Sequence, residues 1–302
     1  MAVVAPQTVS ARPPAERRVK KYGADGVSGR RMAGRIVVGV IIAILFLVPY
    51  LIMLVGSLKT RSEILGVPPH YFPQDGLQFS NYLTMWSTPE TPLTYNLIST
   101  VIIAVFATLL VLLVATPAAY YTARFNFPGK LAFLFLVIVT QMLQPAVLTA
   151  GLFRQMLVLD INNTWLAMIL INTAFNLSFA LWIMHSFFAG IPKEVDEAAQ
   201  LDGAGRLAVL FRINLPLVWP GIVTAIIFTF VASWNEFAAS LVIMSTAENQ
   251  PLSVALTKFI GQYATSWQYV FGVSIVAIIP VIILFGLIEK RLIGGLTAGA
   301  VK

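Results

Sequence analysis

Six predominantly apolar runs, over residues 36–56, 93–119, 131–150, 164–188, 217–244 and 268–288, dominate this sequence. Each is about twenty residues or longer, and at ~1.5 Å of helical rise per residue about twenty residues cross the ~30 Å hydrocarbon core of a bilayer. In lipid every backbone polar group needs an internal partner, and runs of this length satisfy that as helices. The chain has 302 residues, 58% hydrophobic and only 11% charged, against about a quarter charged in soluble domains. The expected fold class is an all-α integral membrane protein with six transmembrane helices. With no cysteine, disulfides, thiolate metal sites and cysteine nucleophiles are excluded.

The segments between the runs carry the charge. Residues 1–35 form a basic tail (Arg12, Arg17, Arg18, Lys20, Lys21, Arg30, Arg31, Arg35) without apolar periodicity, which reads as disordered and lying beside the membrane. A positive region before an apolar run also suits a signal peptide, but the run lacks a small-residue cleavage site before Ser57 and Lys59, so 36–56 is expected to be a retained span. The expected organisation is thus a tail, 1–35, and a transmembrane domain, 36–302. Residues 57–92 are polar, with Tyr71, Tyr82 and Trp86 suited to an interface. Within 151–163, Leu152, Phe153, Met156 and Leu159 predict an amphipathic helix along the surface. Glu289-Lys290-Arg291 opens a small-residue tail. With a cytoplasmic amino terminus, sixteen Lys and Arg fall inside and four (Lys59, Arg61, Arg154, Lys258) outside. Without the tail the ratio is still eight to four. Positive residues concentrate on the cytoplasmic side of membranes, so both termini are expected in the cytoplasm of a multi-pass cell-membrane protein. Basic residues sorted by loop in this way are not a nucleic-acid footprint.

One charged segment, 190–216, stands out between the fourth and fifth runs. Pro192 suits a first helical turn, and Glu194, Asp196 and Glu197 favour the positive end of that helix's dipole. Gly203 and Gly205 break it, and a second short helix, 206–213, is expected to end before Pro216. Leu207, Leu210 and Phe211 share a face of that helix. The segment is a water-exposed hairpin with an apolar face in need of a partner.

Glu197-Ala198-Ala199, three residues, Gly203, nine residues, then Ile213-x-Leu215-Pro216 resembles the EAA loop of binding-protein-dependent ABC importer permeases. The likeness extends over about 40–302. Ala118-Ala119-Tyr120-Tyr121-Thr122-Ala123-Arg124-Phe125, Phe127-Pro128-Gly129-Lys130, Ser57-Leu58-Lys59, Ser233-Trp234-Asn235-Glu236-Phe237 and the tail Gly294–Lys302 are similar to the MalG-like subunit of the maltose-type carbohydrate uptake family. Where that family often has Asn-Ser opening the second span, this chain has Ser99-Thr100, with Asn96 just upstream. The resemblance implies a type I ABC importer permease (MetI-like) fold working by alternating access. The implied partners are a second homologous permease in a heterodimer, two ATP-binding subunits, an extracytoplasmic solute-binding protein and membrane lipid, with no nucleic acid. It also implies that Glu197, Ala198, Ala199, Asp202, Gly203, Ile213, Leu215 and Pro216 couple to the ATPase. No cofactor is expected on this chain; ATP and Mg are used by the partner subunits.

Engine chemistry is missing from the chain itself. No G-x-x-x-x-G-K-[ST] occurs, since Gly129-Lys130 lacks the upstream glycine and the following Ser or Thr. His70 and His185 have no metal-ligand company. The chain is not expected to be an enzyme. What remains is polar residues inside spans: Gln141 and Gln144, three apart; Asn172 and Asn176, four apart; and Trp234, Asn235 and Glu236. Each amide pair shares a helix face. These residues suit a solute path, with helix–helix hydrogen bonding the alternative for the amides. An ionised carboxylate at depth costs about 2.5–3.5 kcal/mol, so Glu236 should face protein or water. Neutral donors and acceptors beside aromatic rings suit a hydroxyl-rich solute. The expected function is import of a carbohydrate; the alternative is another polar solute such as a glycerophosphodiester or polyamine.

Overall fold

The computed structural model describes residues 29–88, 91–143, 145–261 and 265–298. Most of the expected basic tail, and Gln144, lie outside them. The chain divides into two units, one up to Pro49 and one from Tyr50 onward. The first helix, α1 (Gly29–Ser57), crosses that division. It starts seven residues earlier than the apolar run, because Arg30, Arg31, Met32, Ala33 and Arg35 are good helix formers and carry the helix through Gly34. From residue 32 to Pro49 its side chains are exposed, as lipid contact requires.

The second unit is helical, with no β-strand among the described residues. The loop after α1 holds α2 (Arg61–Leu65) and α3 (Ser80–Ser87). A capping box of Thr60 and Glu63 starts α2. Backbone N–H groups of Asp75, Gln74 and Thr60 converge on the Glu63 carboxylate. These bonds, that from Asp75 foremost, hold it below the usual carboxylate range. Two long helices form the centre, α4 (Leu93–Arg124) and α7 (Trp165–Ala189). Ala107, Val111, Ala115 and Ala119 recur every fourth residue on α4, and all are completely buried. This stripe of small side chains lets α7 approach closely, against Ala180, Met184 and Phe188. Accordingly α4 and α7 make the most extensive helix pair of the fold.

Among the described residues four helices are long and apolar enough to cross a membrane uninterrupted, and two bent helix pairs bring the candidate spans to as many as six. The expected straight third span, 131–150, is instead α5 (Lys130–Gln141) and α6 (Pro145–Val158), inclined at 98°. Pro145 lacks the N–H a continuous helix needs and disfavours helical geometry just before it. The amphipathic helix expected from 151 therefore begins at Pro145. Its Met156 is buried, while Leu159 lies beyond its end and is exposed.

The hairpin comprises α8 (Lys193–Leu201), α9 (Arg206–Ala208), a π-helical turn (Val209–Asn214) and α10 (Leu215–Leu217). Pro192 precedes α8 rather than opening it. The second leg also does not stop before Pro216. The π-turn resets the register, so Pro216 falls at the start of a fresh turn, where its missing N–H is not needed. The break comes at Val218, and α11 (Trp219–Trp234) leaves at 78° to the 206–217 segment. The fifth run is interrupted again at Asn235–Phe237 before α12 (Ala238–Ile243).

The connector after α12 carries α13 (Leu252–Ala255) and a 3₁₀ turn (Leu256–Phe259). Asn96 donates to the carbonyls of Ala247 and Gln250, Ser99 to that of Glu248, and Thr100 accepts from the Leu252 N–H. All three side chains are buried. The polar residues opening α4 therefore pin a loop and do not face a solute path. The last helix, α14 (Trp267–Ala298), continues through residues expected to be a small, flexible tail.

Candidate functional site

Two places gather the polar residues singled out by sequence, and the first is the hairpin. The Gly203 N–H donates to the Gln200 carbonyl at 3.0 Å and the Ala204 N–H to the Ala199 carbonyl at 3.0 Å. This 5→2 and 6→1 pair is a Schellman motif, which puts residue 203 in the left-handed region; its φ is +87°. The spacing between Ala199 and Gly203 thus follows from helix termination. Ala199 is the residue whose carbonyl must be reached, and an alanine there lets the chain fold back onto it. Glu197, Ala198 and Asp202 are exposed around the turn, Ile213 and Leu215 are half-buried, and Pro216 is exposed.

The π-turn sorts the second leg by face. Val209, Leu210 and Asn214 are buried, whereas Leu207 and Phe211 are 72% and 56% exposed, joined by Leu201 at 89%. Leu210 therefore leaves the apolar face expected for it and belongs to the core formed with α4 and α7. What remains outside are three exposed apolar side chains, Leu201, Leu207 and Phe211, on a hairpin rimmed by charge.

The second place surrounds α7 in mid-span. Gln141 and Asn176 line one cavity of about 430 Å³ at the break after α5, with Thr140, Met142, Leu143, Pro145 and Phe175. Asn176 also donates to the Asn172 carbonyl at 2.8 Å and reaches the Ser233 hydroxyl at 3.4 Å. Asn172 is only 2% exposed and donates to the Met168 carbonyl, so it serves the helix interior. Trp234 is buried, its ring stacked on Phe230 at 5.4 Å. Asn235 is exposed and donates to the Val231 carbonyl at the end of α11. Glu236 faces protein. Its carboxylate accepts from the Ala239 N–H (2.7 Å), the Ser240 N–H (3.0 Å) and the Ser240 hydroxyl (2.5 Å). The acid therefore restarts the helix as α12 after the break. The structure brings Gln141 and Asn176 to one cavity, which Asn172, Trp234 and Glu236 do not line, their side chains being held in internal contacts.

The family model for "binding-protein-dependent transport system inner membrane component" matches residues 115–294, more than half of the chain. The chain belongs to this family. The permease is 34% identical over 256 residues to the sulfoquinovosyl glycerol transport system permease protein SmoH of Agrobacterium fabrum, covering 85% of this chain and 89% of the relative. It is 31% identical over 268 residues to the trehalose/maltose transport system permease protein MalG of Thermococcus litoralis, covering 88% and 95%. In fold it resembles a subunit of a bacterial ABC transporter involved in import of the acidic polysaccharide alginate, with a TM-score of 0.72 at 22% identity over 88% of this chain and 98% of that one. It is a multi-pass membrane protein of the ABC importer permease fold.

Sequence reasoning missed two functional candidates in the permease, Arg124 and Asp196. Arg124 counts in sequence as one more inside-facing cation and Asp196 as one more acid in a first helical turn. In the structure they meet, Arg124 Nε lying 2.9 Å from Asp196 Oδ2 with both side chains nearly buried. The available signal was position, since Arg124 closes an otherwise apolar span.

Proposed function

We propose that this chain is the translocating subunit of an ATP-driven importer that carries a carbohydrate across the cell membrane by alternating access. The hairpin docks on an ATP-hydrolysing subunit through Leu201, Leu207 and Phe211, with Glu197, Ala198, Asp202 and Gly203 shaping the contact. A second, related permease completes the pore, two ATP-binding subunits using ATP and Mg supply the drive, and an extracytoplasmic binding protein delivers the solute. Both termini face the cytoplasm, on the side of the hairpin. Gln141 and Asn176 contribute neutral hydrogen-bonding groups to the path, and Gln144 and Asn235 are assigned to it on sequence alone.

The observation that carries this reading is the hairpin. It presents three exposed apolar side chains on a segment whose turn geometry is fixed by the Schellman bonds, in a family whose members depend on binding proteins. The relatives named for trehalose/maltose and sulfoquinovosyl glycerol transport support the carbohydrate class. The test is uptake into proteoliposomes holding the full complex, with ATP on the hairpin side. Labelled di- and oligosaccharides, a glycerophosphodiester and a polyamine are offered through the cognate binding protein. Saccharide uptake that needs both ATP and binding protein is expected. Uptake of only the charged solutes would refute the carbohydrate assignment, and uptake without ATP would refute the importer reading.

A further inference from the structure

The last side chain of α4 reaches further than any positive-inside residue needs to. The Arg124 guanidinium approaches Asp196 of α8 with two nitrogens, Nε at 2.9 Å from Oδ2 and Nη2 at 3.3 Å from Oδ1. Its Nη1 donates to the Ile191 carbonyl, in the link between α7 and α8, at 2.7 Å, and Nη2 also reaches Asn214 Oδ1 in the π-turn at 3.4 Å. Asn214, completely buried, closes the ring by donating to Asp196 Oδ1 at 2.8 Å. One planar fork thus ties the end of the central helix to both legs of the hairpin and to its root. A second contact runs parallel to it, with Arg206 of α9 lying 5.3 Å over the ring of Phe125, the residue that caps α4.

A buried ion pair is poor value as a stabiliser, because desolvation offsets most of the attraction and an apolar pair does as well or better. A planar guanidinium that donates from Nη1 to Ile191 and from Nη2 to Asp196 and Asn214, with Nε beside the carboxylate, does fix relative geometry, in a way that apolar contacts do not. The π-turn contributes here, since it directs Asn214 inward to the fork while Leu207 and Phe211 on the same leg point outward. Force arriving at these exposed side chains therefore meets a leg whose inner side is fastened to α4. That helix in turn packs most extensively on α7, and then on α11, the helices that carry Asn176 and Ser233.

We infer that Arg124, Asp196 and Asn214 form a clamp that converts displacement of the hairpin into movement of α4, making them positioning residues for coupling. The clamp deepens the importer reading and rests on it. A permease without it can still dock its ATPase but delivers the stroke loosely.

The test uses the complete reconstituted complex, with ATP hydrolysed per solute imported as the main readout. Arg124→Gln and Asp196→Asn should raise that ratio at least fivefold, with the ATPase subunit still co-purifying. Arg124→Lys, which keeps the charge and loses the fork, should fall between. Because removing one partner of a buried pair threatens folding, the double variant Arg124→Met/Asp196→Leu is the decisive one. It replaces the pair by apolar groups of similar size, so it should accumulate normally and remain uncoupled; normal coupling in it overturns the clamp. A second readout needs no transport. The chain has no cysteine, so a spin label on Gly205→Cys reports the hairpin alone, and it should gain mobility in Arg124→Gln. Unchanged mobility there also overturns the clamp. If the wild-type complex shows no solute-stimulated hydrolysis, the importer reading fails, while the label still judges the clamp.

Discussion

Gly203→Val isolates the backbone requirement of the hairpin from every side-chain contact. The residue sits at φ +87°, and a Cβ built there meets nothing within 4 Å. Steric crowding from neighbours is therefore absent, and the whole effect is the cost of holding an L-residue in left-handed geometry. That cost is about 1–2 kcal/mol for an ordinary side chain and higher for a β-branched one. Relaxing to negative φ would relieve it, but would also break the Gly203–Gln200 and Ala204–Ala199 bonds. The docked hairpin must then be selected against that strain. Since 1.4 kcal/mol corresponds to tenfold in population, 1–2 kcal/mol weakens ATPase attachment by about 5- to 30-fold, and the β-branched valine by at least that much.

The neighbouring glycine supplies the control. Gly205 has φ −68° and equally open space around its Cβ, so Gly205→Ala should leave attachment intact or slightly improved. Gly203→Asn should recover most of the loss, because Asn visits the left-handed region at little cost. The assay is solute-stimulated ATP hydrolysis of the reconstituted complex, at matched membrane levels, titrated with the ATPase subunit. If Gly203→Val and Gly205→Ala titrate within twofold of each other, turn strain does not govern docking and the reasoning fails.

Elsewhere in the bundle, Gly221→Ala should destabilise the permease by about 1–3 kcal/mol through overpacking. Its Cβ would lie 2.5 Å from Phe187 Cγ and 3.0 Å from Phe187 Cβ, and adding Phe187→Ala should restore the thermal midpoint in detergent. Glu236→Ala removes the acceptor for two backbone N–H groups and a hydroxyl. It should cost about 0.5–2 kcal/mol as a lost helix cap, lowering the melting temperature, with uptake falling only in proportion to folded protein. Asn235→Ala should reduce uptake at normal expression, because Asn235 is exposed. Asn172→Ala should instead lower expression and melting temperature together, because Asn172 is buried within α7; a pure uptake defect there would return Asn172 to the solute path.

Legibility in the sequence followed the range of the interactions. The EAA spacing was readable because it encodes a local event: a helix ending at Asp202 needs glycine at the next position and a small residue three back. The α4 stripe of small residues was equally local, and the long helices came directly from hydropathy. The breaks were written in weaker ink. Pro145 follows Gln141 within four residues, and Pro216 and Pro220 bracket the bend at Val218, yet hydropathy runs straight through both places. The π-turn had no local signature, because Val209–Asn214 carries residues that any helix accepts. Arg124 and Asp196 lie 72 positions apart, and each has a sufficient local explanation, so only the folded chain reveals the pair.

The two broken spans and the clamp belong to one arrangement, and α7 is its centre. Its Asn176 faces the cavity opened by the α5–α6 break on one side and reaches Ser233, just before the Asn235–Phe237 break, on the other. Helix breaks leave backbone groups and amide side chains where a continuous span would show only hydrocarbon. Such positions are where a polar solute can be handed on without fixed charge. At its carboxyl end α7 runs through Ile191 directly into the clamp, because the Ile191 carbonyl accepts from Arg124. A stroke applied at Leu207 and Phe211 thus has a continuous packed route to Asn176 through the α7 root and through α4. Asn176→Leu separates the two halves of that route. It leaves hairpin and clamp untouched, so solute-stimulated hydrolysis should persist while uptake falls about tenfold, the order expected for one lost hydrogen-bonding group at a binding position. Loss of hydrolysis along with uptake would mean that Asn176 transmits the stroke and does not merely meet the solute.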